Sequence, residues 1–172
     1  MAGKKRTAGG ADQAGSTPAT RALTAAGVAY TLRSYEHDPR ATSYGLEAAE
    51  ALGAEPERVF KTLLVDVGST RSELAVGVVP VTGMLDLKAI AAALGAKRAV
   101  LAEAAAAERS SGYVVGGISP LGQKTRLRTV LDETAMLFDT ILVSGGRRGL
   151  DVELAPDDLV RLLGATYADI AR

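Results

Sequence analysis

The sequence predicts a single α+β domain in which short helices flank a mixed, largely antiparallel sheet. Three observations lead there. Apolar, β-branched segments and Ala-rich segments follow one another without the regular βα alternation of a doubly wound fold. Several neighbouring strand segments are separated by turns too short to hold a crossover helix. A length of 172 residues leaves room for one core and no second one.

Residues 1–15, MAGKKRTAGGADQAG, carry the basic triplet Lys4-Lys5-Arg6 and show no apolar period, so a disordered tail is expected ahead of a folded domain over 16–172. A first helix begins at Pro18, with Thr17 as its cap and Gly27 as its stop. Val28–Tyr35 reads as a strand, 36–45 as a polar loop, and LEAAEAL before Gly53 as a helix closed by glycine. Val59–Val67 and Glu73–Pro80 are dense in β-branched residues and flank Gly68-Ser69-Thr70, which predicts a hairpin.

Leu87–Leu94 before Gly95 is the next helix, Ala99–Leu101 a short strand, and Glu103–Arg109 an Ala-rich helix whose small side chains suggest close packing rather than a ligand. A glycine-rich loop follows Tyr113–Val115. Strands are expected around Leu127–Leu131, Thr140–Val143 and Leu150–Leu154. The helix PDDLVRLL closes the pattern, with acidic residues in its first turn and Gly164 behind it.

Composition narrows the chemistry. The chain has no cysteine and one histidine, His37, which excludes disulfides, a protein thiol nucleophile and zinc sites built from Cys or several His. Lys and Arg number 20, as do Asp and Glu, so a polyanion would have to be held by a local patch. No apolar run is long enough to cross a bilayer and the first residues lack the apolar core of a secretory signal, which leads us to expect a cytoplasmic location and no membrane partner.

Lys61 sits inside an apolar strand on the face of Leu63, Val65 and Val67. Either it has a carboxylate or phosphate partner, or it loses its proton, or its stem lies along apolar surface at a sheet edge. The loop Gly116-Gly117-Ile118-Ser119-Pro120-Leu121-Gly122 suits a main-chain cradle for a carbonyl or sugar hydroxyl, and equally a plain tight turn; it lacks the phosphate-loop pattern. Ser144-Gly145-Gly146 offers the same two readings. Lys124, Arg126 and Arg128 alternate at strand spacing, with Arg147 and Arg148 nearby, and would form a phosphate-binding stripe or a solvated face. His37 lies between carboxylates in a polar loop, where a turn or a substrate contact suits it better than a Ser-His-Asp hydrolase.

Taken together, TPA (Thr17 to Ala19), YEHDP (Tyr35 to Pro39), EAAEALG (Glu47 to Gly53), FKTLLV (Phe60 to Val65), GYVVGGISPLGQK (Gly112 to Lys124) and VSGGRRGLDVELAP (Val143 to Pro156) resemble the YbaK/EbsC family of free-standing aminoacyl-tRNA editing proteins. The resemblance implies the compact α+β fold shared with the editing insertion domain of bacterial prolyl-tRNA synthetase. It also implies removal of cysteine from Cys-tRNA(Pro), with Cys-tRNA(Cys) as a further substrate. In that scheme the substrate's thiol attacks its own carbonyl, so the protein need not supply a nucleophile.

The resemblance places catalytic roles on Lys61, Tyr35 and Gly116. It places substrate contacts on Gly117, Ile118, Ser119, Pro120, Ser144, Gly145 and Gly146; Thr62 is a further candidate, and Asp151 is one that would bind the aminoacyl ammonium or orient Lys61, or be a plain sheet-edge carboxylate. Acceptor-stem phosphates would meet Lys124, Arg126, Arg128, Arg147 and Arg148. The expected partners are the acceptor end of tRNA(Pro) and prolyl-tRNA synthetase, without DNA, metal or cofactor. Three other readings stay open: an editing protein for another small amino acid such as alanine, a non-catalytic module that binds tRNA or a synthetase, and a hydrolase of a small ester acting through His37 and a serine.

Overall fold

The computed structural model describes the backbone of Lys4–Arg6 and residues 15–172. Among the described residues nine strands form two sheets. β1 (Lys4–Arg6), β2 (Tyr30–Ser34), β8 (Leu150–Leu154) and β7 (Ile141–Arg147) make an antiparallel sheet in that order. β5 (Val100–Leu101), β3 (Phe60–Asp66), β4 (Leu74–Pro80), β6 (Thr129–Asp132) and β9 (Thr166–Ala168) make a mixed one. The predicted hairpin is β3 and β4, paired antiparallel from Phe60–Pro80 to Asp66–Leu74, while β4–β6 and β6–β9 are parallel.

The helices are α1 (Pro18–Ala25), α2 (Tyr44–Leu52), α3 (Leu87–Ala93), α4 (Ala104–Ser111) and α5 (Pro156–Leu163). Their ends follow the sequence. Thr17 caps α1 in a reciprocal arrangement with Thr20, Ser43 caps α2, and Gly53, Gly112 and Gly164 close α2, α4 and α5 with positive φ, the conformation glycine adopts without a Cβ penalty. α2 starts earlier than expected because Ser43 supplies a cap inside the polar loop. β9 had no signal of its own and forms because β6 offers it a parallel edge.

Two large apolar clusters, beside a small one of Ala49, Val59, Val81 and Leu142, pack against these sheets. One gathers Leu23, Tyr30, Phe60, Leu121, Ile141, Val152 and Leu159; the other gathers Val65, Val79, Leu85, Ile90, Val130 and Ile170. β3 contributes to both, as a strand buried on two faces must. Among the described residues no helix is long and apolar enough to cross a membrane.

Two expectations are corrected. Lys4–Arg6, placed within a disordered tail, pairs with β2 over Lys4–Leu32 to Arg6–Tyr30, occupying a backbone edge that would otherwise lack partners; the rest of 1–14 lies outside the described residues. Residues 124–128 are not a strand. The Lys124 and Thr125 N–H groups donate to the Ser111 and Ser110 carbonyls at the end of α4, and the chain joins β6 only at Thr129. The alternation of Lys124, Arg126 and Arg128 therefore does not build a one-faced stripe. Arg128 donates to the Leu94 carbonyl and to Glu73, and Arg126 reaches Gly164 behind α5.

Candidate active site

The two sheets meet where Val59, just before β3, bridges Leu142 of β7 in parallel. Two residues further along each strand, the same register brings Lys61 level with Ser144. Ser144 is the cross-strand partner of Asp151 on β8, and Asp151 is the partner of Arg33 on β2. Partners in register present their side chains on one face. One row across four strands thus carries a lysine, a serine, an aspartate and an arginine.

A cavity of about 440 Å³ opens over this row. Tyr35, Lys61, Thr62, Ser144 and Asp151 supply its polar groups; Phe60, Leu64, Leu101, Ala107 and Ile118 are among its apolar walls. α2 and the loop before it add Ser43, Tyr44 and Ala48, and Val115 and Gly116 complete the lining. The Ala-rich helices do more than pack: Ala48, Ala104 and Ala107 line the cavity, because a side chain of one methyl leaves room beside the row.

The polar groups are poorly satisfied by the protein. Burial holds the Lys61 ammonium below the usual lysine range, and it makes no ion pair among the described residues. Thr62 Oγ1 is buried with no hydrogen-bond partner. Asp151 is 6% exposed, and burial pushes its carboxyl up to about 7 against the opposing pull of Arg33. Arg33 does not pair with it; its guanidinium donates to Glu153 at 2.8 Å and to the Leu52 carbonyl at 3.1 Å. Burial and the Asp151 charge push the Tyr35 phenol up to about 12, so it stays a proton donor at neutral pH. The Gly116 N–H has no acceptor among the described residues. Buried polar groups left unpaired are costly, and where several converge in a cavity they mark a ligand's place.

Other expected site residues, Gly117, Ser119, Pro120, Gly145 and Gly146, lie outside the cavity lining. Ser119 is fully buried, its Oγ accepting from the Leu121 N–H and its carbonyl from Gln123. Gly117 lies against the Arg147 backbone, where a Cβ would come within 2.8 Å of Arg147 Cα. Gly145 and Gly146 form the bulge that breaks β7–β8 pairing beside Ser144, and the Gly145 carbonyl accepts from Thr17 Oγ1. His37 pairs with Glu47 at 2.7 Å and leans on the Tyr44 ring, holding the turn that leads into α2. Arg148 stacks over Tyr44 with 5.0 Å to the ring centroid and donates twice to the Val115 carbonyl.

Sequence reasoning missed Tyr44, Arg33, Glu153 and the apolar wall. Tyr44 stands in a polar loop with no period, and the Arg33–Glu153 pair becomes visible only through strand register.

An apolar chamber holding a lysine, a carboxylate, hydroxyls and an unused backbone donor has the make-up of a binding site for a small polar ligand. Comparison with known proteins gives that class its identity. A family model described as an aminoacyl-tRNA editing domain matches residues 37–162. The chain belongs to the aminoacyl-tRNA editing domain family. A relative from Enterococcus faecalis strain V583, whose name assigns it as the Cys-tRNA(Pro)/Cys-tRNA(Cys) deacylase EbsC, is 41% identical over 122 residues, 71% of this chain and 73% of that protein. A crystal structure named as a trans-editing enzyme for prolyl-tRNA synthetase aligns with a TM-score of 0.74 and 27% identity, covering 91% of this chain and 98% of that one. The crystal structure of hypothetical protein APE2540 aligns with a TM-score of 0.79 and 25% identity over 91% of this chain and all of that one. The α+β fold expected from sequence is the fold of this family.

Two outcomes follow from the unsatisfied groups. Asp151 titrates near 7 when folded and near 3.8 when unfolded, so the folded state binds the extra proton between those values and stability falls as pH rises through them. The Asp151→Asn variant gains its advantage in Tm over the native protein between about pH 4 and about pH 8, and a Tm difference that is flat across that range contradicts the burial argument. Thr62→Val removes an unpaired hydroxyl, so its Tm matches or exceeds the native value while substrate turnover falls; a loss of stability of about 1 kcal/mol or more would mean that the hydroxyl is already satisfied.

Proposed function

We propose that this protein edits mischarged tRNA in trans, removing cysteine from Cys-tRNA(Pro), with Cys-tRNA(Cys) as a second substrate. The observation that carries the reading is a cavity rich in groups that bind an aminoacyl ester and lacking a nucleophile paired with a base. The chain has no cysteine, no histidine lines the cavity, and Ser144 Oγ accepts from the Gly146 N–H and makes no hydrogen bond to Lys61. A cysteinyl ester brings its own thiol to the scissile carbonyl.

In the proposed reaction the cysteine sulfur attacks its own carbonyl carbon. The bond from that carbon to the ribose oxygen breaks, the thiol proton passes to the departing oxygen, and a four-membered thiolactone leaves, which water then opens to cysteine. Ionised Asp151 takes the aminoacyl ammonium, a group with an ordinary pKa of about 7.7–8.0. The Gly116 N–H takes the carbonyl oxygen as charge develops, and Lys61 supports the departing oxygen. Thr62 and Tyr35 hydrogen-bond the ribose end. The apolar wall folds the side chain back on the ester, which converts attack into a positioned intramolecular step.

A net charge of zero supports modest intrinsic affinity for tRNA, which favours action alongside prolyl-tRNA synthetase in the cytoplasm. The test compares release from Cys-tRNA(Pro) and Ser-tRNA(Pro) by the native protein and by Lys61→Ala. Cysteine is released at least about a hundredfold faster than serine, and the variant loses about 10²–10³ of that rate. Equal release of both amino acids contradicts the thiol-assisted scheme and points to a water-based esterase. Release of neither points to a binding module.

A further inference from the structure

One peptide unit of the turn that opens the glycine-rich loop lines the cavity and is gripped by a side chain that does not. The Gly117 N–H donates to the Val114 carbonyl at 2.9 Å, which closes a four-residue turn with Val115 and Gly116 at its centre. Gly116 has φ +90, the value that the third residue of a type II turn requires. Types I and II differ by a flip of the central peptide, here the unit made of the Val115 carbonyl and the Gly116 N–H. In a trans peptide these two groups point in opposite directions. Whichever side the carbonyl takes, the N–H takes the other.

Arg148 takes the carbonyl. Its Nε donates to Val115 O at 3.0 Å and its Nη2 at 2.7 Å, two charge-assisted bonds from a planar fork. The guanidinium is fixed in turn by stacking on Tyr44. Arg148 does not line the cavity, whereas Val115 and Gly116 do, so the guanidinium that holds the carbonyl stands outside the chamber lining. The preceding peptide is pinned as well: the Val115 N–H donates to Glu108 Oε1 of α4 at 3.0 Å. A Cβ at Gly116 would come within 2.9 Å of both Arg148 Nε and the Tyr44 ring, so glycine is the residue that fits beneath the closed grip.

We infer that Arg148 and Glu108 are positioning residues that lock the 115–116 peptide with its N–H presented to the cavity. The role rests on the proposed use of Gly116 as the donor to the substrate carbonyl. It also moves Arg148 from the expected phosphate contacts to the frame of the site. Released from Arg148, the peptide is free to flip, which would replace a donor by the Val115 carbonyl at the place where negative charge develops.

The test uses the full chain and two readouts. The first is the ¹H–¹⁵N resonance of the Gly116 amide without substrate. It is single and sharp in the native protein, and split or exchange-broadened in Arg148→Ala. An unchanged Gly116 resonance in that variant overturns the lock, whatever the protein's activity.

The second is deacylation of Cys-tRNA(Pro) as a function of tRNA concentration. Arg148→Ala and Glu108→Ala lower the maximal rate by about tenfold or more with KM changed less than about twofold, and Glu108→Gln, whose amide oxygen still accepts, restores most of the rate. A raised KM with an unchanged maximal rate in Arg148→Ala, together with a shallower salt dependence, would make Arg148 a phosphate ligand and overturn the inference. Failure of the native protein to release cysteine would remove the functional reading, leaving the amide resonance to decide the lock.

Discussion

The site depends on one backbone contact, the parallel bridge between Val59 and Leu142 that joins the mixed sheet to the antiparallel one. It sets the register in which Lys61 meets Ser144. The antiparallel ladders of β7, β8 and β2 then place Asp151 and Arg33 in the same row. A slip of one residue at that junction would turn alternate side chains to the opposite face and replace the polar row with Phe60 and Val143. Both bridge residues are at most 1% exposed, which is why the register is firmly specified.

Around this row the protein tolerates polar groups that it does not satisfy. Thr62 Oγ1 is buried without a hydrogen-bond partner, burial works against the Asp151 charge, and Lys61 carries its charge in a partly desolvated place. Each works against folding and is retained where a ligand could complete it. Arg33 shows how finely the balance is set. A guanidinium fully engaged with Asp151 would occupy the carboxylate that a substrate ammonium needs. Glu153 and the Leu52 carbonyl hold it instead, so it tempers the burial of Asp151 without closing the site.

Most of the fold was legible in the sequence because its signals are local. Thr17-Pro18 and Ser43 cap helices, Gly53, Gly112 and Gly164 end them, and the β-branched runs of β3 and β4 flank a turn. What was illegible depends on distant partners. β9 exists because β6 offers an edge, and Lys4–Arg6 pairs because β2 offers one. Strand spacing at Lys124, Arg126 and Arg128 misled because the loop's N–H groups are taken by the end of α4 before a ladder can form. In the site, the motif residues Lys61, Thr62, Gly116, Ser144 and Asp151 do converge on the cavity. Their neighbours Ser119, Pro120, Gly145 and Gly146 belong to the same motifs and lie outside the cavity lining, a division that only the folded chain reveals. Glu108 and Arg148 reach the Val115 peptide from different elements, and no spacing in the chain announces that meeting.

The central claim is that the substrate's own thiol breaks the ester while the protein positions it. The most direct measurement is to quench a single turnover of Cys-tRNA(Pro) rapidly and identify the first product by mass spectrometry. The account predicts a cyclic thioester, lighter than cysteine by one water, that appears before free cysteine and decays into it. Free cysteine as the first product, with no thioester preceding it, would contradict the account and place the attack on water.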